Sequence, residues 1–165
     1  GSITLTSEVN QGTCFSVKFP LKEPVKQDLK EKKFFKKFET PYKVLIIDDN
    51  AMNYEILRFH LKKIGLQTYY ANSGEIGVEL ALSNLPDIIL LDIHMPGISG
   101  IEVRKRLLEN ETTANIPTIV MSADVFSESK DTVLEVAFSD FISKPIDFAE
   151  LDSVLEKNLT HKIIS

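Results

Sequence analysis

Three short apolar runs constrain this chain more than any other feature. Val44-Leu45-Ile46-Ile47, Ile88-Ile89-Leu90-Leu91 and the stretch 116–121 carry no charged side chain. A strand with one wet face alternates polar and apolar residues; an unbroken run needs apolar cover on both faces. Between the runs the pattern is helical. Met52, Ile56, Phe59, Leu61 and Ile64 follow the first run at near-helical spacing, and Gly65 ends them. The spacing predicts a second strand over 66–71 and a second helix over 75–82, capped by Ser73. Ser99 with Glu102 forms a capping box for a third helix reaching Leu108. After a polar loop and the run at 116–121, a fourth helix is expected over 127–136. A short strand at Phe141-Ile142 and a fifth helix over 148–159 complete the series. Five strand–helix units imply an α/β protein, a doubly wound parallel sheet with helices on both faces.

Charge divides the chain into three zones. Residues 1–21 are neutral, 22–41 carry +3, and 42–165 carry −8. The first zone alternates: Ile3 and Leu5, then Phe15, Val17 and Phe19, separated by Asn10-Gln11-Gly12. That predicts a β-hairpin, marginal alone because two strands bury too little. The second zone is a charged linker with a short helix over 27–39, in which Leu29, Phe34, Phe35 and Phe38 make an apolar patch. A basic amphipathic stretch can touch a membrane, but a solvated linker resting on the acidic domain is the better reading. With 43% hydrophobic and 26% charged residues, disorder is not the main state. No run nears the roughly 20 apolar residues that cross a bilayer, and no signal peptide opens the sequence. The single cysteine, Cys14, excludes an internal disulfide and a multi-cysteine zinc site, and it fits a reducing, cytoplasmic setting. A net charge of −5 makes a nucleic-acid-coating surface a poor first expectation.

Ligands of open parallel sheets gather at the carboxyl ends of the strands. The first predicted strand ends in Asp48-Asp49, the third in Asp92, the fourth in Ser122 and the fifth in Lys144-Pro145. Taken singly, each has an ordinary explanation: a helix cap, a turn residue, a loop hydroxyl, a surface lysine. Together, at successive strand ends, they point to one site. Three gathered carboxylates repel one another, and a hard divalent cation relieves that; Mg²⁺ fits, since it needs few carboxylates and keeps waters. A lysine and a hydroxyl beside it suit a phosphoryl group, and a carboxylate can be the nucleophile that receives one.

The motifs V-L-I-I-D-D-N, L-L-D-I-H-M-P-G-I-S-G, V-M-S-A and F-I-S-K-P occur in that order. Over about 42–160 the chain resembles the receiver domain of two-component response regulators. The resemblance implies a flavodoxin-like (βα)5 sheet of order 2-1-3-4-5. It implies that Asp92 accepts a phosphoryl group from a phosphohistidine. Asp48, Asp49, Asp92 and the backbone carbonyl of His94 would hold Mg²⁺, and Ser122 and Lys144 would bind phosphoryl oxygens. Phe141 takes the place of the family's switch aromatic, working with Ser122, and the Lys144-Pro145 bond is expected to be cis. Two departures stand out. Where the family often has a glycine before its last strand, this chain has Ala137-Phe138-Ser139-Asp140, so that turn is expected to be built differently. The switch residue is Phe, without a phenol.

The stretch S-E-V-N-Q-G-T-C-F is similar to the final hairpin of histidine-kinase ATP-binding domains. The resemblances together imply a hybrid histidine kinase fragment: 1–21 a hairpin remnant, 22–41 a linker, 42–165 a receiver. The kinase's own phosphoacceptor histidine and nucleotide-binding segments have no counterpart in this sequence, so the expected role is phosphoacceptor, with enzymatic status open. Partners would be a histidine kinase core or a histidine phosphotransfer protein, with no nucleic acid and no membrane contact; oligomeric state is open, a homodimer included. Competing readings are a receiver that binds partners without phosphorylation, and a phosphatase of the haloacid dehalogenase type. The latter places an Asp-x-Asp after its first strand, whereas this chain has adjacent Asp48-Asp49. A P-loop nucleotidase is excluded by the missing Gly-x-x-x-x-Gly-Lys-Ser/Thr loop.

Overall fold

A computed structural model of the chain describes residues 1–8, 12–18, 38–123 and 137–160. The helix expected over 127–136, the hairpin turn at 9–11, Phe19 and the linker residues before Phe38 lie outside the described residues. The chain divides into two compact units, Gly1–Phe34 and Phe35–Ser165.

The first unit holds β1 (Ser2–Glu8) and β2 (Gly12–Lys18), an antiparallel pair. The register sets Ile3 opposite Val17 and Leu5 opposite Phe15, which puts all four on one face. That face is exposed, with Phe15 at 68%.

The second unit contains β3 (Lys43–Ile47), α1 (Ala51–Lys63), β4 (Gln67–Ala71), α2 (Gly74–Asn84) and β5 (Ile88–Asp92). These are followed by α3 (Gly100–Leu108), a one-turn α4 (Glu111–Ala114), β6 (Thr118–Ser122), β7 (Asp140–Ser143) and α5 (Phe148–Thr160). All neighbouring strands are parallel and the order is β4-β3-β5-β6-β7. Counted from β3, this is the 2-1-3-4-5 order, and the fold is flavodoxin-like.

The apolar runs split by parity. Val44, Ile46, Ile88 and Leu90 face α1 and α5 through Leu57, Leu61, Leu151 and Leu155. Leu45, Ile47, Ile89 and Leu91 face α2 and α3 through Ala81, Val103 and Leu107. A buried parallel strand therefore needs no polar side of its own. Phe38 and Tyr42 pack on the first of these clusters, edge to face, and the Phe38 N–H donates to the Ile64 carbonyl at the end of α1. Phe38 and Glu39 are not helical, so the helix read over 27–39 does not extend to its last residues.

Local signals differ from expectation in three places. Ser99 accepts from the Glu102 N–H at 3.3 Å, but the Glu102 carboxylate turns to Arg106 one helical turn on, so only half the capping box is formed. The polar loop before β6 contains α4, started by Asn110, whose side chain accepts from the Thr112 N–H. The turn before β7, expected to be built differently, keeps the left-handed conformation: Ala137 has φ +46°. Alanine meets a steric cost there that glycine would not, and the Ala137 carbonyl accepts from the buried Arg104 guanidinium at 3.0 Å.

Candidate functional site

Every strand of the second unit except β4 delivers a candidate residue to its carboxyl end. Asp48 and Asp49 follow β3; Asp92 and Ser122 are the last residues of β5 and β6; Lys144 and Pro145 follow β7. One oxygen from each of Asp48, Asp49 and Asp92 lies within 4.8 Å of the others. Lys144 Nζ reaches into the group, donating to Asp92 Oδ2 at 2.6 Å and to Asp48 Oδ2 at 3.1 Å. Three carboxylates and one ammonium leave two net negative charges, the complement of a divalent cation.

The two neighbouring acids after β3 are held very differently. Asp48 is fully buried. Its Oδ1 accepts from the Asn50 N–H at 2.8 Å, and Asn53 Nδ2 donates to both of its oxygens at 3.0 and 3.2 Å. Asn50 also caps α1 by accepting from the Met52 N–H. Asp49 is exposed and, among the described residues, no donor reaches its carboxylate. Asp92 is buried and accepts from the His94 N–H at 3.2 Å, which brings the His94 backbone to the acids.

Ser122 is buried beside Met121, the register partner of Asp92, and its carbonyl accepts from the Lys144 N–H at 2.7 Å. That bond ties the two donor positions together. The Lys144–Pro145 peptide is cis. Burial works against the Lys144 ammonium, but its hydrogen bonds and charge contacts with Asp92 and Asp48 outweigh it, and its pKa is raised. Phe141, paired with Val120 in β7, is half exposed and points away from the core.

Sequence reading did not single out Asn53, Gly100 or Tyr70. Asn53 stands five residues after Asp48, where the first turn of α1 folds back over the strand end. Gly100 donates its N–H to the Ile93 carbonyl, and a β-carbon on it would stand 2.9 Å from Ile93 Cα and closer still to the Asp92 carbonyl. The final glycine of P-G-I-S-G is thus a steric requirement of the Asp92 loop. Tyr70, in β4, stacks on Tyr54 of α1 at 4.2 Å.

The donor set suits a hard cation. It consists of carboxylate oxygens spread across little more than the roughly 4 Å between opposite ligands of Mg²⁺. No described helix is long and apolar enough to cross a membrane.

The model of the response regulator receiver domain matches residues 44–156. The polar-differentiation response regulator DivK of Brucella ovis is 34% identical over 103 residues, 62% of this chain and 84% of that protein. Among solved structures, the receiver domain of a signal transduction histidine kinase from Syntrophus aciditrophicus aligns with a TM-score of 0.70 and 26% identity, over 75% of this chain and 94% of that one. The receiver domain of a sensor histidine kinase from Pseudomonas aeruginosa, solved with magnesium in its active-site cleft, is similar in fold. It has a TM-score of 0.69 and 22% identity, over 73% of this chain and 99% of that one. With its five-stranded sheet, its strand-end acids and a family match over more than half its length, the chain belongs to the response regulator receiver domain family.

Proposed function

We propose that the second unit is a phosphoacceptor receiver in which Asp92 takes a phosphoryl group from a phosphohistidine. The observation that carries this reading is Lys144 bridging Asp92 and Asp48 inside a cluster of three carboxylates. An Asp92 oxygen forms a bond to phosphorus as the phosphorus–nitrogen bond to the donor imidazole breaks, its electron pair staying on that nitrogen. Lys144 already donates to one Asp92 oxygen, and with Ser122 it would supply donors for the transferred oxygens. Asp48, Asp49, Asp92 and the His94 carbonyl would hold Mg²⁺, which supplies positive charge against the phosphoryl oxygens. Movement of Ser122 toward the modified Asp92 would open space for Phe141 to turn inward and alter the surface around β7 and α5.

The donor would be a histidine kinase core or a histidine phosphotransfer protein. It must cover the Asp92 mouth and grip the surface beside it. A groove of about 270 Å³, lined by Asn53, Ile56, Lys144, Pro145 and Phe148, leads from the site to α1, where Met52, Ile56 and Phe59 are exposed. The motif similarity of 1–21 to a histidine-kinase ATPase hairpin supports a hybrid kinase parent, with 22–41 as linker and 42–165 as receiver. The exposed apolar face of β1–β2 fits a piece of a larger sheet.

The test is intact-mass measurement after incubation with a small phosphodonor in Mg²⁺. Wild type is expected to gain one phosphoryl group and Asp92→Asn none. An Asp92→Asn protein that gains it at the wild-type rate overturns the assignment. A wild type that gains none supports a receiver that works by binding alone.

A further inference from the structure

Two polar groups near the strand ends are left without partners. The Tyr70 hydroxyl is the one buried side-chain polar atom among the described residues with no hydrogen bond. Asp49 is the one acid of the cluster whose carboxylate no described donor reaches. Native proteins rarely leave a buried hydroxyl unsatisfied, and such a group calls for a function or a partner that arrives later.

The topology puts Tyr70 beside the strand end that carries Asp48 and Asp49. Tyr70 pairs with Ile46 in the register of β3 and β4, and Asp48 follows two residues after Ile46 on the same face. The Asp48 N–H donates to the carbonyl of Ala71, the residue after Tyr70. The Tyr54 ring, one residue beyond the Asn53 that grips Asp48, lies flat on the Tyr70 ring and fixes its direction. Burial first, and then the charges of Asp48 and Asp49, push the Tyr70 phenol up, so the hydroxyl keeps its proton and is a donor.

We infer that Tyr70 is a positioning residue of the cation site, its hydroxyl the donor that holds the Asp49 carboxylate toward the metal. This rests on the reading of Asp48, Asp49 and Asp92 as a Mg²⁺ site. In the metal-free protein Asp49 is exposed, with one oxygen within 4.8 Å of the two acids that Lys144 already bridges and no described donor to hold it. A cation draws it inward, and the carboxylate oxygen not used on the cation then accepts from Tyr70.

The experiment is titration with Mg²⁺ alone, on the full chain, comparing wild type with Tyr70→Phe, Tyr54→Phe and Asp49→Ala. The chain has four tyrosines and no tryptophan, so near-ultraviolet difference absorption reports on tyrosine directly. Tyr70→Phe is expected to raise the Mg²⁺ dissociation constant roughly tenfold or more, the loss of one hydrogen bond to a charged group. Its metal-free melting temperature is expected to hold or rise, because an orphaned hydroxyl has been removed. Tyr54→Phe keeps the stacked ring and is expected to bind as wild type does. The Mg²⁺-induced tyrosine band should appear in wild type and Tyr54→Phe and vanish in Tyr70→Phe. A structural role alone would show the reverse, a lower metal-free melting temperature with Mg²⁺ affinity unchanged, and would overturn the inference. So would a wild type without the band, a result that needs no variant to fold. If Asp49→Ala loses Mg²⁺ while Tyr70→Phe keeps it, only this inference fails. If Asp49→Ala binds as wild type does, the metal site itself is misread and both fall.

Discussion

β5 and β7 each deliver one charged group to the same rim, yet they are built on opposite plans. Ile88, Ile89, Leu90 and Leu91 of β5 are all fully buried, with β3 on one side and β6 on the other. β7 is an edge strand in which Ile142 alone is buried, while Phe141 is half exposed. Asp92 therefore stands on an element that cannot shift without breaking the core. Lys144 stands on one held by its pairing with β6 on one side only, a single apolar anchor, the Lys144–Ser122 backbone bond and an exposed Lys157–Asp140 ion pair. The difference teaches where chemistry and response belong in such a sheet: the proposed acceptor sits on the fixed strand, and the proposed reporter on the strand that is cheapest to move.

The largest effects should fall on the β5 side. Leu90→Ala removes a fully buried side chain from the central strand and is expected to cost about 2–5 kcal/mol in urea denaturation. Phe141→Ala, on half-exposed β7, is expected to cost under about 1 kcal/mol. Equal costs would erase the contrast. Next in size is the cation. At about 100 times its dissociation constant, Mg²⁺ should add roughly 2.7 kcal/mol, because the unfolded chain cannot gather the three acids. Asp49→Ala or a chelator should remove that gain; an unchanged melting temperature in Mg²⁺ counts against the site. Gly100→Ala follows, at about 1–3 kcal/mol, since the new β-carbon presses on backbone at Asp92 and Ile93. Unlike Phe141→Ala, it should also slow phosphoryl uptake, because it displaces the acceptor.

The same contrast explains what the sequence made legible. The buried strands announced themselves through unbroken apolar runs, and the acids and lysine followed as the residues after each run. The fold class and five rim positions were therefore readable in the residues alone, while the strand order came from the resemblance to receiver domains. Short and conditional features were not. The one-turn α4 depends on a single cap, Asn110, that looks like any loop asparagine. The left-handed Ala137 is held by Arg104, which reaches it from α3, thirty-three residues away. Asn53 looks like an ordinary helix residue until the fold brings it against Asp48, and Tyr70 like an ordinary strand residue until burial leaves its hydroxyl without a partner. Ser99–Glu102 was readable but only half realised: Ser99 caps α3, while Arg106 takes the Glu102 carboxylate.

The smallest expected effect tests the β7 side by pH. The Lys144 ammonium is raised above its ordinary 10.5 by Asp92 and Asp48, against the opposing effect of burial. The folded protein therefore holds this proton more tightly than the unfolded chain does. The resulting stability is complete below pH 10.5 and is lost as pH climbs through the folded value. Tyr70 adds in the same direction from its ordinary 10.0, since its raised phenol must also ionise. The Lys144 share is expected to stay under about 1 kcal/mol, because the ammonium is partly solvated and screened. Urea midpoints followed from neutrality to above pH 10.5 should fall, and Tyr70→Phe should leave part of that fall in place. Adding Lys144→Ala to Tyr70→Phe should flatten it further. If the double variant loses stability with pH as steeply as Tyr70→Phe alone, the ion pairs of Lys144 contribute nothing to holding β7 against the acids, and the edge-strand side of the rim is anchored by backbone and Ile142 only.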